Sequence, residues 1–71
     1  MLHEHDVVAL KKELPGTAVP VLSEGTIVQV HEAKAQAYVV EFFDDSDNTI
    51  GLFDVVGDDY LELKWAYRDT K

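Results

Sequence analysis

The chain contains no cysteine in its 71 residues. Disulfide staples and thiolate metal sites are thereby excluded, so stability must come from burial alone. The absence fits a reducing compartment without requiring one. No apolar run approaches the roughly 18 residues that a membrane-crossing helix needs. The opening stretch, Met1 to Asp6, lacks the basic flank and apolar core of a secretory signal, and a cytoplasmic location is the default expectation. Basic residues are also scarce, with six Lys and Arg against 14 Asp and Glu and a formal net charge of −8. Such a surface repels phosphate backbones and anionic lipid, so neither nucleic acid nor membrane is an expected partner. A charged partner should itself be basic. Acidity also keeps a small domain soluble.

The arrangements that usually announce chemistry are missing too. Gly16, Gly25, Gly51 and Gly57 are scattered, so no phosphate-cradling loop exists. Asp45-Ser-Asp47-Asn-Thr49 resembles the start of a calcium loop. That motif needs Gly at its sixth position and Glu at its twelfth, where this chain has Ile50 and Val56. The Met1 amine with His3 and His5 could wrap copper or nickel, but a solvated tail is the simpler reading. His31 has no Ser, Cys or Asp arranged near it in sequence to make it a general base. The expectation is a protein that is not an enzyme, with no catalytic residue, cofactor or metal.

What the chain does have is β structure. Gly25 to Val30 and Ala37 to Phe43 are β-branched and aromatic runs, separated by the polar stretch His31 to Gln36. Such runs fit a pleated surface, and the short connection returns the second strand antiparallel to the first. In the second run Tyr38, Val40 and Phe42 are assigned to the core. In the first, strict alternation sets Thr26, Val28 and Val30 against Ile27, Gln29 and His31. Ile27 is then exposed unless it packs on the second face of a curved sheet or a bulge resets the phase. Asp44 to Asn48 is a turn leading into Thr49 to Val55, with Ile50 and Leu52 expected inward around Gly51. Leu61, Leu63 and Trp65 alternate inward against Tyr60, Glu62 and Lys64.

His5 to Leu14 reads two ways. Val7, Val8, Leu10 and Leu14 fall near one helical face, with Asp6 as N-cap. As a strand, Asp6 to Leu10 places Val8 and Leu10 inward. The strand is preferred because Val-Val opens a helix poorly and the run is short. One helical turn would fit just after it, and another at Val56 to Asp59. Pro15 and Pro20 make Leu14 to Glu24 a long surface loop. Its Ala18, Val19, Val21 and Leu22 are expected to fold back over one end of the core.

The resulting fold class is all-β: a small five-stranded SH3-like barrel with a long first loop and room for a single helical turn. The alternative is an open, strongly twisted sheet with an N-terminal helix. Residues 1–5 are read as a flexible N-terminus, 6–65 as the barrel and 66–71 as a C-terminal tail, in which Tyr67 could still pack.

Asp6-Val-Val-Ala-Leu10, Leu14-Pro15, Gly25-Thr-Ile-Val, Tyr38-Val-Val-Glu-Phe42 and Leu61-Glu-Leu63 resemble the small bacterial family catalogued as domain of unknown function 4926, over roughly residues 5 to 63. The resemblance implies a stand-alone SH3-like barrel with no established activity. Genes of that family can sit beside toxin genes, which implies an antitoxin or immunity role. The loop from Thr17 to Leu22 is longer than the family's, and residues 66–71 lie outside its pattern. The paired tryptophans and Ala-Leu-Tyr-Asp-Tyr run of peptide-binding SH3 domains are absent, so a polyproline groove is not expected.

Two acidic loops form the expected binding surface. Asp44, Asp45 and Asp47 sit in one hairpin tip, and Asp58 and Asp59 precede the last strand, with Phe43, and Phe53 or Tyr67, as apolar anchors. Aromatics concentrate interface energy while charge steers encounter, so this set suits a basic protein partner. The other reading is an accessory subunit or a weak homo-oligomer assembled through strand edges or exposed rings.

Overall fold

The computed structural model describes residues 2–31 and 37–66. Five strands, β1 (Val7–Leu10), β2 (Glu24–His31), β3 (Ala37–Phe43), β4 (Thr49–Val56) and β5 (Leu61–Trp65), are joined by loops and one 3-10 turn at Asp58–Tyr60. They form a single antiparallel sheet in the order β4-β3-β2-β1-β5. Among the described residues no ladder joins β4 to β5, so the sheet is not closed as a barrel requires. Residues 11–16, just after β1, form no helix, and among the described residues the one helical turn falls at the second place anticipated.

β1 is a strand because its two faces and both edges are used. It pairs with β2 through Val7–Thr26 and Val8–Gly25, and with β5 through Leu10–Leu61 and Val8–Leu63. Val8, Ala9 and Leu10 are all buried. A two-turn helix would bury one side only. The first strand thus holds the last one in place.

Tyr38, Val40 and Phe42 are at most 1% exposed, as the alternation of β3 requires. Opposite them on β4 stand Val55, Phe53 and Gly51, and on β2 stand Val30, Ile27 and Gly25. Directly opposed residues share a face of the sheet, so this row is the core. Leu2, Leu14, Val19 and Leu61 close it from the flanks. Leu2 belongs to the stretch read as a flexible N-terminus, yet it packs within this cluster. Tyr67 lies outside the described residues.

Three bulges explain where simple alternation misplaces side chains. In β2 the register shifts between Ile27 and Gln29, leaving Val28 as the extra residue. Ile27 is therefore inward before the bulge and Val30 after it, which resolves the phase conflict. In β4, Phe42 pairs with Gly51 and Phe43 with Thr49, so Ile50 is extra and swings outward. Leu52, opposite Glu41, lies on the outer face and is exposed; the inward residues are Gly51, Phe53 and Val55, not Ile50 and Leu52. In β5 the shift beside Val8 pairs Trp65 with Val7, leaving Lys64 extra and Trp65 on the other face from Leu63. Leu61 is buried, whereas Leu63 and Trp65 are exposed at the sheet margin rather than inward.

Gly25 is required by close approach. A Cβ there would lie 2.7 Å from the Glu41 carbonyl oxygen, 2.8 Å from Val40 Cγ1 and 2.9 Å from Phe42 Cδ1. The backbone oxygen cannot move aside without disturbing the β2–β3 ladder. Gly25→Ala should lower stability by about 1–3 kcal/mol, the usual cost of overpacking. Chemical denaturation measures this, and a loss under about 0.5 kcal/mol, within the scatter of ordinary surface substitutions, would refute the close-packing argument.

Candidate functional site

The first loop ends in a tight turn from Pro20 to Ser23. The Ser23 amide donates to the Pro20 carbonyl at 3.1 Å, and the Leu22 amide to the Leu10 carbonyl at 2.8 Å. The Leu10 amide in turn donates to the Ser23 carbonyl at 2.9 Å, tying the turn to β1. Leu22 occupies the third turn position with φ of 78°, where glycine or asparagine is favoured. A left-handed leucine costs about 1–2 kcal/mol. Its side chain does not fold over the core, as expected for this loop, but stands 75% exposed. Val21 and Ala18 are exposed as well, and only Leu14 and Val19 of the loop are buried.

Leu22 stands beside the hairpin tip at Asp44–Asn48. The Asp44 Oδ1 accepts the amides of Ser46 and Asn48, each at 2.9 Å, and the Asp44 amide donates to the Asn48 carbonyl at 2.9 Å. Asp44 thus builds the turn, while Asp45 and Asp47 carry exposed carboxylates. Two shallow depressions flank Leu22. One, of about 330 Å³, is lined by Leu22, Glu24, half-buried Phe43, Asp44, Asp45 and Asp47. The other, of about 280 Å³, is lined by Pro20, Val21, Leu22, Ile50, Asp44 and Asp45. An apolar knob therefore sits between an acidic bay and a mainly aliphatic one, and no basic side chain lines either.

Asp58 and Asp59 do not join this surface. The Tyr38 hydroxyl donates to Asp58 Oδ1 at 2.5 Å. Tyr38 lies at the other end of β3 from Phe43, about 16 Å away at the rise of an extended strand. Asp59 Oδ2 is bound by Lys12 Nζ at 2.8 Å, with that ammonium 4.7 Å from the Tyr60 ring centre. The hydrogen bond from Lys12 holds the Asp59 carboxyl below its usual range, and the same bond raises Lys12. Both aspartates serve the docking of the 3-10 turn onto the sheet. Phe53 likewise packs against the core, tilted 45° against Phe42 at 6.2 Å.

Other features lay beyond sequence reasoning. Asp6 is fully buried, and its Oδ2 accepts the His3 amide at 2.9 Å. His5, with φ of 73°, turns the chain so that Asp6 and His5 extend the β1–β2 ladder to Ile27. The signal was a turn-favouring Asp ahead of a β-branched pair, and it served equally as an N-cap. Among the described residues no three His, Asp or Glu side chains cluster to hold a metal. The Met1 amine proposed beside His3 lies outside the described residues. No helix among them is long and apolar enough to cross a membrane.

Fold and surface together define a small all-β domain, one open antiparallel sheet with a mixed apolar and acidic tip. The chain belongs to the family Domain of unknown function (DUF4926), whose family model matches residues 4–60. No curated protein and no solved structure matched it.

Burial, then the Asp58 hydrogen bond, pushes the Tyr38 phenol from its ordinary 10.0 up to about 12, against the opposing donation from the Leu2 amide. Raised in the folded state, this group stabilises the fold fully below pH 10, and its contribution is lost as pH rises through about 12. The Tyr38 phenol should therefore ionise late in an absorbance titration, and Tyr38→Phe should remove that late step at a cost of about 1–3 kcal/mol. A Tyr38→Phe titration identical to that of the parent would show that the phenol is not held by these contacts.

Proposed function

We propose that the chain is a non-catalytic protein-interaction module on an open scaffold with SH3-like strand order, binding a basic protein partner through the tip around Leu22. The strand order, with a 3-10 turn before the last strand, supports the SH3-like reading. The observation that carries the functional reading is Leu22 itself. A large aliphatic side chain held left-handed and three-quarters exposed is a local cost without a folding benefit. Beside it, Phe43 and Ile50 supply apolar area, while Glu24, Asp45 and Asp47 attract positive charge. The binding set is thus Leu22, Phe43, Asp44, Asp45 and Asp47, with Asp58 and Asp59 assigned to structure. A basic toxin, neutralised by this acidic domain, is one partner with matching chemistry.

A photoreactive phenylalanine analogue at position 22, in cells that naturally express the chain, should cross-link a basic protein. The same analogue at exposed Glu4, beyond the opposite end of β1 from Leu22, should not. Absence of any cross-link at position 22, or equal capture at both, would sink the reading. With the captured partner in hand, Asp45→Asn with Asp47→Asn should slow association about threefold to tenfold at low salt. Leu22→Gly separates function from fold: it should weaken binding, yet raise stability by about 0.5–1 kcal/mol by relieving the left-handed leucine. Stability and affinity falling together would mean Leu22 serves the fold.

A further inference from the structure

The outer edge of β4 is a second surface, remote in chemistry from the tip. Among the described residues β4 is a terminal strand of the sheet, eight residues long, with neither proline nor lysine; its bulge at Ile50 lies near its start and leaves Gly51 to Val56 in regular register. Proteins ordinarily guard such edges with short strands, prolines, bulges or charge, because unpaired backbone groups invite another strand. The opposite edge is guarded in that way: β5 has five residues, Glu62 and Lys64 among them, with Lys64 bulged. On β4 the outer-face row reads Leu52, Asp54, Val56, with Leu52 61% and Val56 64% exposed. Asp54 between them has a side chain 77% exposed, its Oδ1 3.7 Å from His31 Nε2.

We propose that this edge accepts an extended segment of a partner protein in which Lys or Arg is flanked, two residues to either side, by apolar side chains. Strand addition supplies backbone hydrogen bonds, and the side-chain row supplies selectivity. A directly opposed antiparallel residue shares a face with its partner, so the apolar residues cover Leu52 and Val56 while the cation meets Asp54. Glu41, opposite Leu52 on β3, adds negative charge to the same face.

A second copy of the chain does not fit. The self-pairing that sets Leu52 against Val56 of a second copy also sets Asp54 against its own counterpart, and like charges directly opposed are destabilising. Centring the pairing on Phe53 or Leu52 instead puts Asp54 against Leu52 or Ile50. The net charge of −8 opposes every such encounter. Asp54 is thus both the recruiting charge and the barrier to self-pairing.

Two measurements test this. In sedimentation the parent should remain monomeric at all concentrations, while Asp54→Asn, with an unchanged circular dichroism spectrum, should self-associate at least tenfold more tightly. A blocked heptapeptide of alternating threonine and valine with central lysine should shift backbone amide resonances of β4, and its counterpart with central glutamate should bind at least fivefold more weakly. Asp54→Asn should erase that difference. A parent that dimerises through β4, an Asp54→Asn protein that stays monomeric, equal binding of the two peptides, or shifts confined to the Leu22 tip would each overturn the proposal.

Discussion

Phe42 is the side chain on which the sheet is assembled. It has no exposed surface, and its two cross-strand neighbours are both glycines, Gly25 on β2 and Gly51 on β4. The space a Cβ would take at Gly25 is filled by Phe42 and Val40, and at Gly51 by the ring of Phe53, 3.1 Å away. Close-packed interiors tolerate little change in volume, so the aromatic pair dictates where side chains must be missing. The bulge at Ile50 follows from that demand. Without an extra residue there, a branched side chain and not Gly51 would oppose the ring.

Much of the strand pattern was legible because β3 obeys strict alternation. Tyr38, Val40 and Phe42 faced the core on that rule alone, and Val8 and Leu10 on the preference for β1 as a strand. Three of the misplaced strand residues share one cause. Ile50, Leu52 and Trp65 were placed by continuing a period of two through a register shift, and a shift of one residue exchanges the faces. Only in β2 did the sequence betray its bulge, because Ile27 conflicted visibly with Val30. In β4 the apolar residues fill both phases, so nothing conflicted. Closure was not legible either, since alternation defines faces and says nothing of whether the outer strands meet.

The acidic tip was half legible. Asp44, Asp45 and Asp47 share a loop by adjacency, and Phe43 follows by chain continuity. Asp58 and Asp59 were drawn in by charge alone, while their engagement with Tyr38 and Lys12 spans 20 and 47 residues of sequence. Leu22 had been assigned to burial because it is aliphatic. Its exposure depends on a positive φ, which residue type gives no means of anticipating at a leucine. Non-local pairing and unusual backbone thus account for what was missed.

The pairing of β1 with β5 also bears on how the chain matures during synthesis. Leu10 and its partner Leu61 are separated by about fifty residues, and at ordinary elongation rates that interval is on the order of 3–10 s. Throughout it, one edge of the N-terminal strand must wait at the ribosome exit without its native neighbour. A domain so arranged becomes whole only when nearly all of it has emerged, and nascent-chain holdases would find their substrate in that waiting edge.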